Sequence, residues 1–241
     1  LCKQIATADP KFADALHLLG VVQMAQESHD SALRSFQRAL ALTPNDPKLL
    51  TNAGLAHQAL RRLDDALSCQ DRALALRPHD AEILNNRGSV LQSLKRYEEA
   101  LSCFNEALRA RPDNADALFN RAVVLQELQR HADALDSYDS VLRLFPNDAQ
   151  AHGNRAVVLQ QLGRFEDALA AYDRALALKP DDPQALSNRG IALRELARLD
   201  DSLACYERAL KLRPKYAFAW SNRGNTLQDL LRYDDALASY D

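Results

Sequence analysis

Residues 81–114 read AEILNNRGSVLQSLKRYEEALSCFNEALRARPDN. Apolar or small side chains stand at the fourth, eighth, eleventh and fourteenth places, Leu84, Gly88, Leu91 and Leu94, and again at Ala100, Leu101, Phe104, Ala107 and Leu108. Steps of three and four lay one stripe along a helix, whereas a half-buried strand would alternate by two. The stretch therefore predicts two amphipathic helices, the first over positions 1–14 and the second over 18–31, with a break at Lys95-Arg96. Pro112 cannot continue the second helix and biases its predecessor away from the helical region, so the unit closes there.

The same unit recurs along the chain. Pro10, Pro44, Pro78, Pro112, Pro146, Pro180 and Pro214 are each 34 residues apart. In this register residues 1–12 end a preceding unit, whole units cover 13–46, 47–80, 81–114, 115–148, 149–182 and 183–216, and 217–241 begin another. The reading is of a single array over 1–241 with no linker. Stacked repeats normally close with a polar cap, so an array ending inside a second helix is expected to continue into more repeats, a catalytic domain or a membrane anchor.

The 241 residues carry 30 Lys+Arg against 33 Asp+Glu, a net charge of −3. That balance argues against nucleic acid or an anionic membrane as partner, since both call for concentrated basic charge. No apolar run approaches the roughly 18–20 residues of a membrane span, and LCKQIATADP lacks the layout of a signal peptide. With free thiols, this points weakly to a reducing, cytoplasmic setting.

The helix ends are punctuated. Asp46, Asp80, Asn114, Asp148 and Asp182 precede first helices, where a side-chain oxygen can accept from orphan backbone donors. Acidic pairs such as Asp64-Asp65, Glu98-Glu99 and Glu166-Asp167 open second helices, at the positive end of the dipole. Position 8 is Gly20, Gly54, Gly88, Ala122, Ala156, Gly190 and Gly224, and position 20 is small in every unit from Ala32 to Ala236. A recurrent mid-helix glycine costs about 1 kcal/mol each time relative to alanine, so the two helices are expected to cross closely there.

These residues resemble the tetratricopeptide repeat family. Trp220, Gly224, Ala236 and Tyr240 in the last unit follow its 34-residue pattern, as do Leu16, Leu19, Gly20, Ala32, Phe36, Ala39 and Pro44 in the first. Leu in place of Tyr at position 11, Gln70 at an aromatic position and His152 in place of Leu depart from it. The resemblance implies an all-α fold, a right-handed superhelical solenoid of antiparallel helix pairs, with first helices lining a concave groove that takes extended peptides.

Position 6 is Asn52, Asn86, Asn120, Asn154, Asn188 and Asn222 in six successive units. Asparagine is a mediocre helix former, so a row of six asks for a reason. Its amide offers two donors and an acceptor, which match the C=O and N–H of an extended peptide whatever its side chains. The alternative is that these amides bond to neighbouring helices and serve repeat packing. Such a row is also similar to that of peptide-binding superhelices in the O-linked N-acetylglucosamine transferase family. Position 12 adds Gln58, Gln92, Gln126, Gln160 and Gln228, and position 9 adds Val123, Val157 and Ile191, which line the groove or fill the core between repeats. Position 5, from His17 through Gly153 to Ser221, contains no Lys, and position 6 no Arg, so a carboxylate clamp for acidic C-termini is not expected.

Position 7 holds Arg87, Arg121, Arg155, Arg189 and Arg223, and position 25 of the preceding unit is acidic in most cases. The pairs Arg87–Asp71, Arg155–Asp139, Arg189–Asp173 and Arg223–Glu207 are expected to fix the stacking register, the alternative being a solvated arginine row open to an acidic ligand. Cys69, Cys103 and Cys205 share position 23, a small-residue packing column, and Cys2 stands apart; equivalent sites one helix spacing away lie beyond disulfide reach. No metal, phosphate-loop or nucleophile motif occurs, and the repeated acidic pairs are explained by the dipole. Neither catalytic residues nor a cofactor are expected. The preferred reading is a protein-interaction scaffold for an extended peptide or partner segment. The alternatives are the substrate-binding arm of a larger protein O-glycosyltransferase, or an array that self-associates through uncapped terminal repeats.

At the predicted helix crossing, Gly88→Leu overpacks the contact and lowers stability by roughly 1–3 kcal/mol; an unchanged melting curve would place the crossing elsewhere.

Overall fold

A computed structural model describes residues 12–240, which form fourteen α-helices with no strand among the described residues. The expectations for Cys2, Pro10 and Asp241 lie outside the described residues, as does nearly all of the preceding unit assigned to 1–12. The first helices are α1 (Ala13–Ala25), α3 (Pro47–Ala59), α5 (Ala81–Ser93), α7 (Ala115–Glu127), α9 (Ala149–Gln161), α11 (Pro183–Glu195) and α13 (Ala217–Asp229). The second helices are α2 (His29–Leu42), α4 (Leu63–Leu76), α6 (Tyr97–Ala110), α8 (His131–Leu144), α10 (Phe165–Leu178), α12 (Leu199–Leu212) and α14 (Tyr233–Tyr240). First helices stop one residue earlier than the pattern suggests, and second helices start one residue earlier.

The reason lies in the turn between them. The residue at position 15, Glu27, Arg61, Lys95, Gln129, Gly163, Ala197 or Leu231, has φ between 56° and 71°. In the turn after α3, the Arg62 N–H donates to His57 O at 2.9 Å and the Arg61 N–H to Gln58 O at 3.0 Å. Those two bonds are the signature of a Schellman motif. Only Gly163 holds the left-handed conformation without steric cost. At the other end the sequence reading holds: Asp46, Asp80, Asn114, Asp148 and Asp182 each accept from first-turn N–H groups. Most second helices are preceded by an arginine that pairs three residues on, as Arg96–Glu99 and Arg164–Asp167 do at 2.7 and 2.6 Å.

The packing divides into two units, one up to Leu128 and one from Gln129 onward. In the first unit α1 packs on α2, α3 on α4 and α5 on α6; in the second α9 packs on α10, α11 on α12 and α13 on α14. Within each unit, every second helix also packs on the next first helix, and successive first helices touch one another. One face of each unit is thus built from first helices alone.

The hairpins are closed by rings. A Cβ on Gly88 would stand 2.6 Å from a ring carbon of Phe104, and the same holds for Gly20 against Phe36 at 2.4 Å and Gly190 against Tyr206 at 2.7 Å. Position 8 therefore makes room for the position-24 ring of its own hairpin. The close crossing of the two helices expected there is present, and at Gly54 the Ala66 carbonyl also comes within 3.3 Å of the would-be Cβ. Phe36, Phe104, Tyr172 and Tyr206 are completely buried. The departures from pattern are accommodated in two ways. His152 Nε2 lies 3.0 Å from Pro146 O, the contact that Trp220 Nε1 makes with Pro214 O at 2.8 Å. Gln70 fits less well: fully buried, it donates to Thr51 O at 3.3 Å, and its Oε1 has no partner.

Burying an amide oxygen without a partner costs roughly 1–3 kcal/mol, and Gly54 already leaves the space that a ring fills elsewhere. Gln70→Phe is expected to raise stability by about 1–3 kcal/mol in denaturant titration; a loss of stability would mean that the space beside Gly54 is not shaped for a ring.

Candidate functional site

The face made by first helices carries the asparagine row, three members in each unit. All six are half-buried. In the first unit Asn52 Nδ2 meets His17 Nε2 at 2.7 Å and Asn120 Nδ2 donates to Asn85 Oδ1 at 3.1 Å, while Asn86 makes no such bond among the described residues. In the second unit Asn154 and Asn188 are hydrogen-bonded to the hydroxyls of Tyr138 and Tyr172, and Asn222 donates to Phe218 O at 2.8 Å. Both readings of the row thus have a counterpart: most members hold a neighbour, yet each such contact uses only part of an amide that has two N–H donors and two lone pairs.

The phenols are part of this construction. Burial pushes the Tyr138 and Tyr172 hydroxyls well above the ordinary tyrosine range, against the pull of the asparagine bonds. They are neutral at any physiological pH and act as fixed dipoles. Tyr172 also donates to Gln160 Oε1, and Gln160 Nε2 donates to Asn188 O at 3.2 Å. In the first unit Gln58 Nε2 donates to Ser89 Oγ at 3.0 Å. Where arginine replaces glutamine at position 12, Arg194 reaches Asp229 of the next first helix at 2.5 Å. At position 12, Gln58, Gln160 and Arg194 thus each bond the next first helix, whereas Gln228 accepts from Tyr240 of its own hairpin. Position 9 divides: Ile191 packs against the core around Leu186, Tyr206 and Ala219, and Val157 borders open space.

Two cavities open on the face, one in each unit. That of the second unit, about 380 Å³, lies between α9 and α11 and is bordered by Gly153, Asn154, Val157, Tyr172, Ala185 and Asn188. That of the first, about 240 Å³, is bordered by His17, Thr51, Asn52 and Ile83. Asn52, Asn154 and Asn188 therefore stand at the edge of accessible hollows. Lys179 and Asp182 flank the larger one and pair at 3.1 Å. Burial opposes ionisation of Asp182, but the Ala185 N–H and the Lys179 ammonium outweigh it and hold the carboxyl below its usual range. That Gly153 borders the larger cavity escaped the sequence reading, which used position 5 only to exclude a clamp; a glycine in a helical column was the available signal.

The arginine row is structural. Arg87–Asp71, Arg155–Asp139 and Arg189–Asp173 pair at 2.7, 2.5 and 2.8 Å, and Arg223–Glu207 at 3.7 Å. The guanidinium groups are only 20–26 % exposed. Three of the four reach in addition into their own hairpin: Arg87 to Cys103 Sγ at 2.9 Å, Arg189 to Cys205 Sγ at 3.0 Å and Arg223 to Ser239 Oγ at 2.7 Å. A solvated row awaiting an acidic ligand is not what the structure contains. Asn105 offers no charge to Arg121, and Nε of Arg121 has no partner. Burial raises the Cys103 and Cys205 thiols above their usual range, with the arginines pulling the other way. Cys69, Cys103 and Cys205 are all free, and among the described residues no group of three or more His, Cys, Asp or Glu side chains could hold a metal. No helix of the described residues is long and apolar enough to cross a membrane.

Four models described as tetratricopeptide repeat match the chain, at residues 13–46, 56–125, 119–183 with 154–217, and 205–238. The chain belongs to the tetratricopeptide repeat family. No curated protein sequence matches it. Among solved structures it is similar to a tetratricopeptide repeat protein of Parabacteroides merdae, with 21% identity, a TM-score of 0.75, and 94% of this chain and 90% of that one covered. It is similar also to Pseudomonas aeruginosa PilF, at 21% identity and TM-score 0.76, covering 91% and 96%. YrrB, a TPR protein described as having an unusual peptide-binding site, matches at 24% identity and TM-score 0.66, covering 76% and 95%.

A double-mutant cycle tests the staple. Arg155→Gln and Asp139→Asn are expected to couple by about 1 kcal/mol, the upper end for exposed pairs, because the guanidinium is mostly covered; additive effects would show that the pair contributes nothing to stacking.

Proposed function

We propose that this tetratricopeptide repeat chain is a protein-interaction scaffold whose first-helix face holds an extended segment of a partner by its main chain. The observation that carries the reading is the row Asn52, Asn86 and Asn120 in one unit and Asn154, Asn188 and Asn222 in the other. Half-buried amides stand in it one repeat apart, Asn52, Asn154 and Asn188 at the edge of open cavities, with hydrogen-bonding capacity left over.

A partly buried amide is desolvated already, so a bond to a ligand's C=O or N–H forms against little competition from water. The internal contacts favour this use. By holding one end of Asn154 or Asn188, a tyrosine hydroxyl fixes the orientation of the other and removes rotamer entropy that binding would otherwise cost. Main-chain recognition of this kind tolerates many ligand sequences, and affinity accumulates from several modest bonds. Neutral lining agrees with it: Lys179 and Asp182 cancel, and the arginines are engaged in stacking. The peptide-binding site ascribed to YrrB supports the same class of ligand.

The first unit offers a direct test, since among the described residues Asn86 makes no side-chain hydrogen bond and Asn120 donates to Asn85. Asn86→Ala with Asn120→Ala is expected to weaken peptides of unrelated sequence, selected on the wild-type protein, by about tenfold or more in calorimetric titration. The circular dichroism spectrum is expected to stay unchanged. Equal affinities for wild type and double variant would remove the amides from recognition.

A further inference from the structure

Gly153 has no packing reason to be glycine. It lies inside α9, where glycine is a poorer helix former than any residue but proline. The mid-helix glycines at position 8 are required, since a Cβ there would run into a ring or amide on the partner helix. At Gly153 a Cβ would meet nothing within 4 Å. The backbone there is ordinary α-helix that any residue can adopt. What glycine supplies at this point is empty space, and the space belongs to the larger of the two face cavities, about 380 Å³ against about 240 Å³ where Thr51 stands at the same position.

The lining says what would fill it. Val157 and Ala185 give apolar surface, Gln150, Asn154, Gln184 and Asn188 give neutral polar surface, and the Tyr172 ring lies fully buried behind them. The two charges beside it, Lys179 and Asp182, neutralise each other at 3.1 Å. A charged guest would lose water and find no free counter-charge. The volume falls in the range of cavities that enclose whole small ligands, so a short aliphatic side chain would leave much of it unfilled. A planar ring with apolar faces and a weakly polar edge suits both the size and the walls.

We infer that Gly153 opens a specificity pocket between α9 and α11 for an aromatic side chain of the bound segment. The inference rests on the reading of the first-helix face as a peptide site and adds a side-chain preference to it.

Gly153→Leu tests it directly, because a Cβ there meets nothing within 4 Å and the longer side chain is placed to occupy the cavity; its melting temperature is expected to equal or exceed that of wild type. A random peptide library is selected on wild type and on the variant, and the best peptides, with analogues in which each side chain is replaced by alanine, are titrated against both. Wild type is expected to enrich an aromatic residue at one register whose replacement weakens binding about tenfold or more. On Gly153→Leu that preference disappears, and the alanine analogue binds both proteins alike. Peptides bound without aromatic preference, a preference for aliphatic or acidic residues, or the same aromatic dependence in the variant would each overturn the pocket while leaving the peptide site standing. Failure of wild type to select any peptide would remove the peptide site and the pocket with it.

Discussion

A ring on the second helix of the hairpin occupies the place where the first helix lacks a side chain. That exchange, Phe104 over Gly88 or Tyr206 over Gly190, sets how closely the two helices approach, and each later level of the structure is built on it. The glycine weakens its helix, but a fully buried aromatic side chain contributes several times what the glycine costs. With the hairpin closed, its second helix presents a fixed surface to the next first helix, and successive first helices come to lie side by side. The face that carries the asparagines exists because of this order of contacts. In the Tyr172 hairpin, where position 8 is Ala156, the ring is fully buried as well, and its hydroxyl reaches Gln160 and Asn188 and so ties an amide of the face to the core.

The arginine at position 7 solves a different problem. Apolar stacking between similar helices specifies register poorly, because one turn of slip replaces one small apolar residue with another. A guanidinium that must find a carboxylate on the preceding second helix and a thiol or hydroxyl on its own cannot slip. Leaving it unpaired in a mostly covered position costs more than the pair itself contributes. The same argument marks Arg121, facing Asn105, as the member of the row held least firmly.

Much of this was legible in the sequence because it repeats. A period of 34 with prolines in register gave the helices, their caps and the acidic openings, and the correlation between Arg87 and Asp71, absent where Ala53 follows Gln37, was enough to place the ion pairs. What did not show was conformational or relational. The left-handed residue at position 15 is Glu, Arg, Lys, Gln, Ala or Leu as readily as Gly, so composition gave no sign of the Schellman turn. The close crossing at position 8 could be read from its small residues, but not that a large ring at position 24 takes the space there. Position 12 reads as a second row of amides, but a sequence does not reveal that Gln58 and Gln160 are within reach of the next helix.

The division of labour among the amides follows from distance. A glutamine at position 12 is one methylene longer than an asparagine, enough to bridge to the adjacent first helix, where its bond is made once and for all on folding. Asparagine at position 6 is too short to span that gap unaided. Asn52 and Asn120 meet side chains that come to them, His17 and Asn85, and Asn154 and Asn188 wait on a tyrosine from the hairpin behind. A short amide gripped at one end is rigid, partly desolvated and still unsaturated, which is the condition under which a hydrogen bond to an incoming backbone gains most over the bond to water it replaces. A longer side chain in the same column would either saturate itself on a neighbour or remain mobile in solvent, and neither state suits recognition of a main chain.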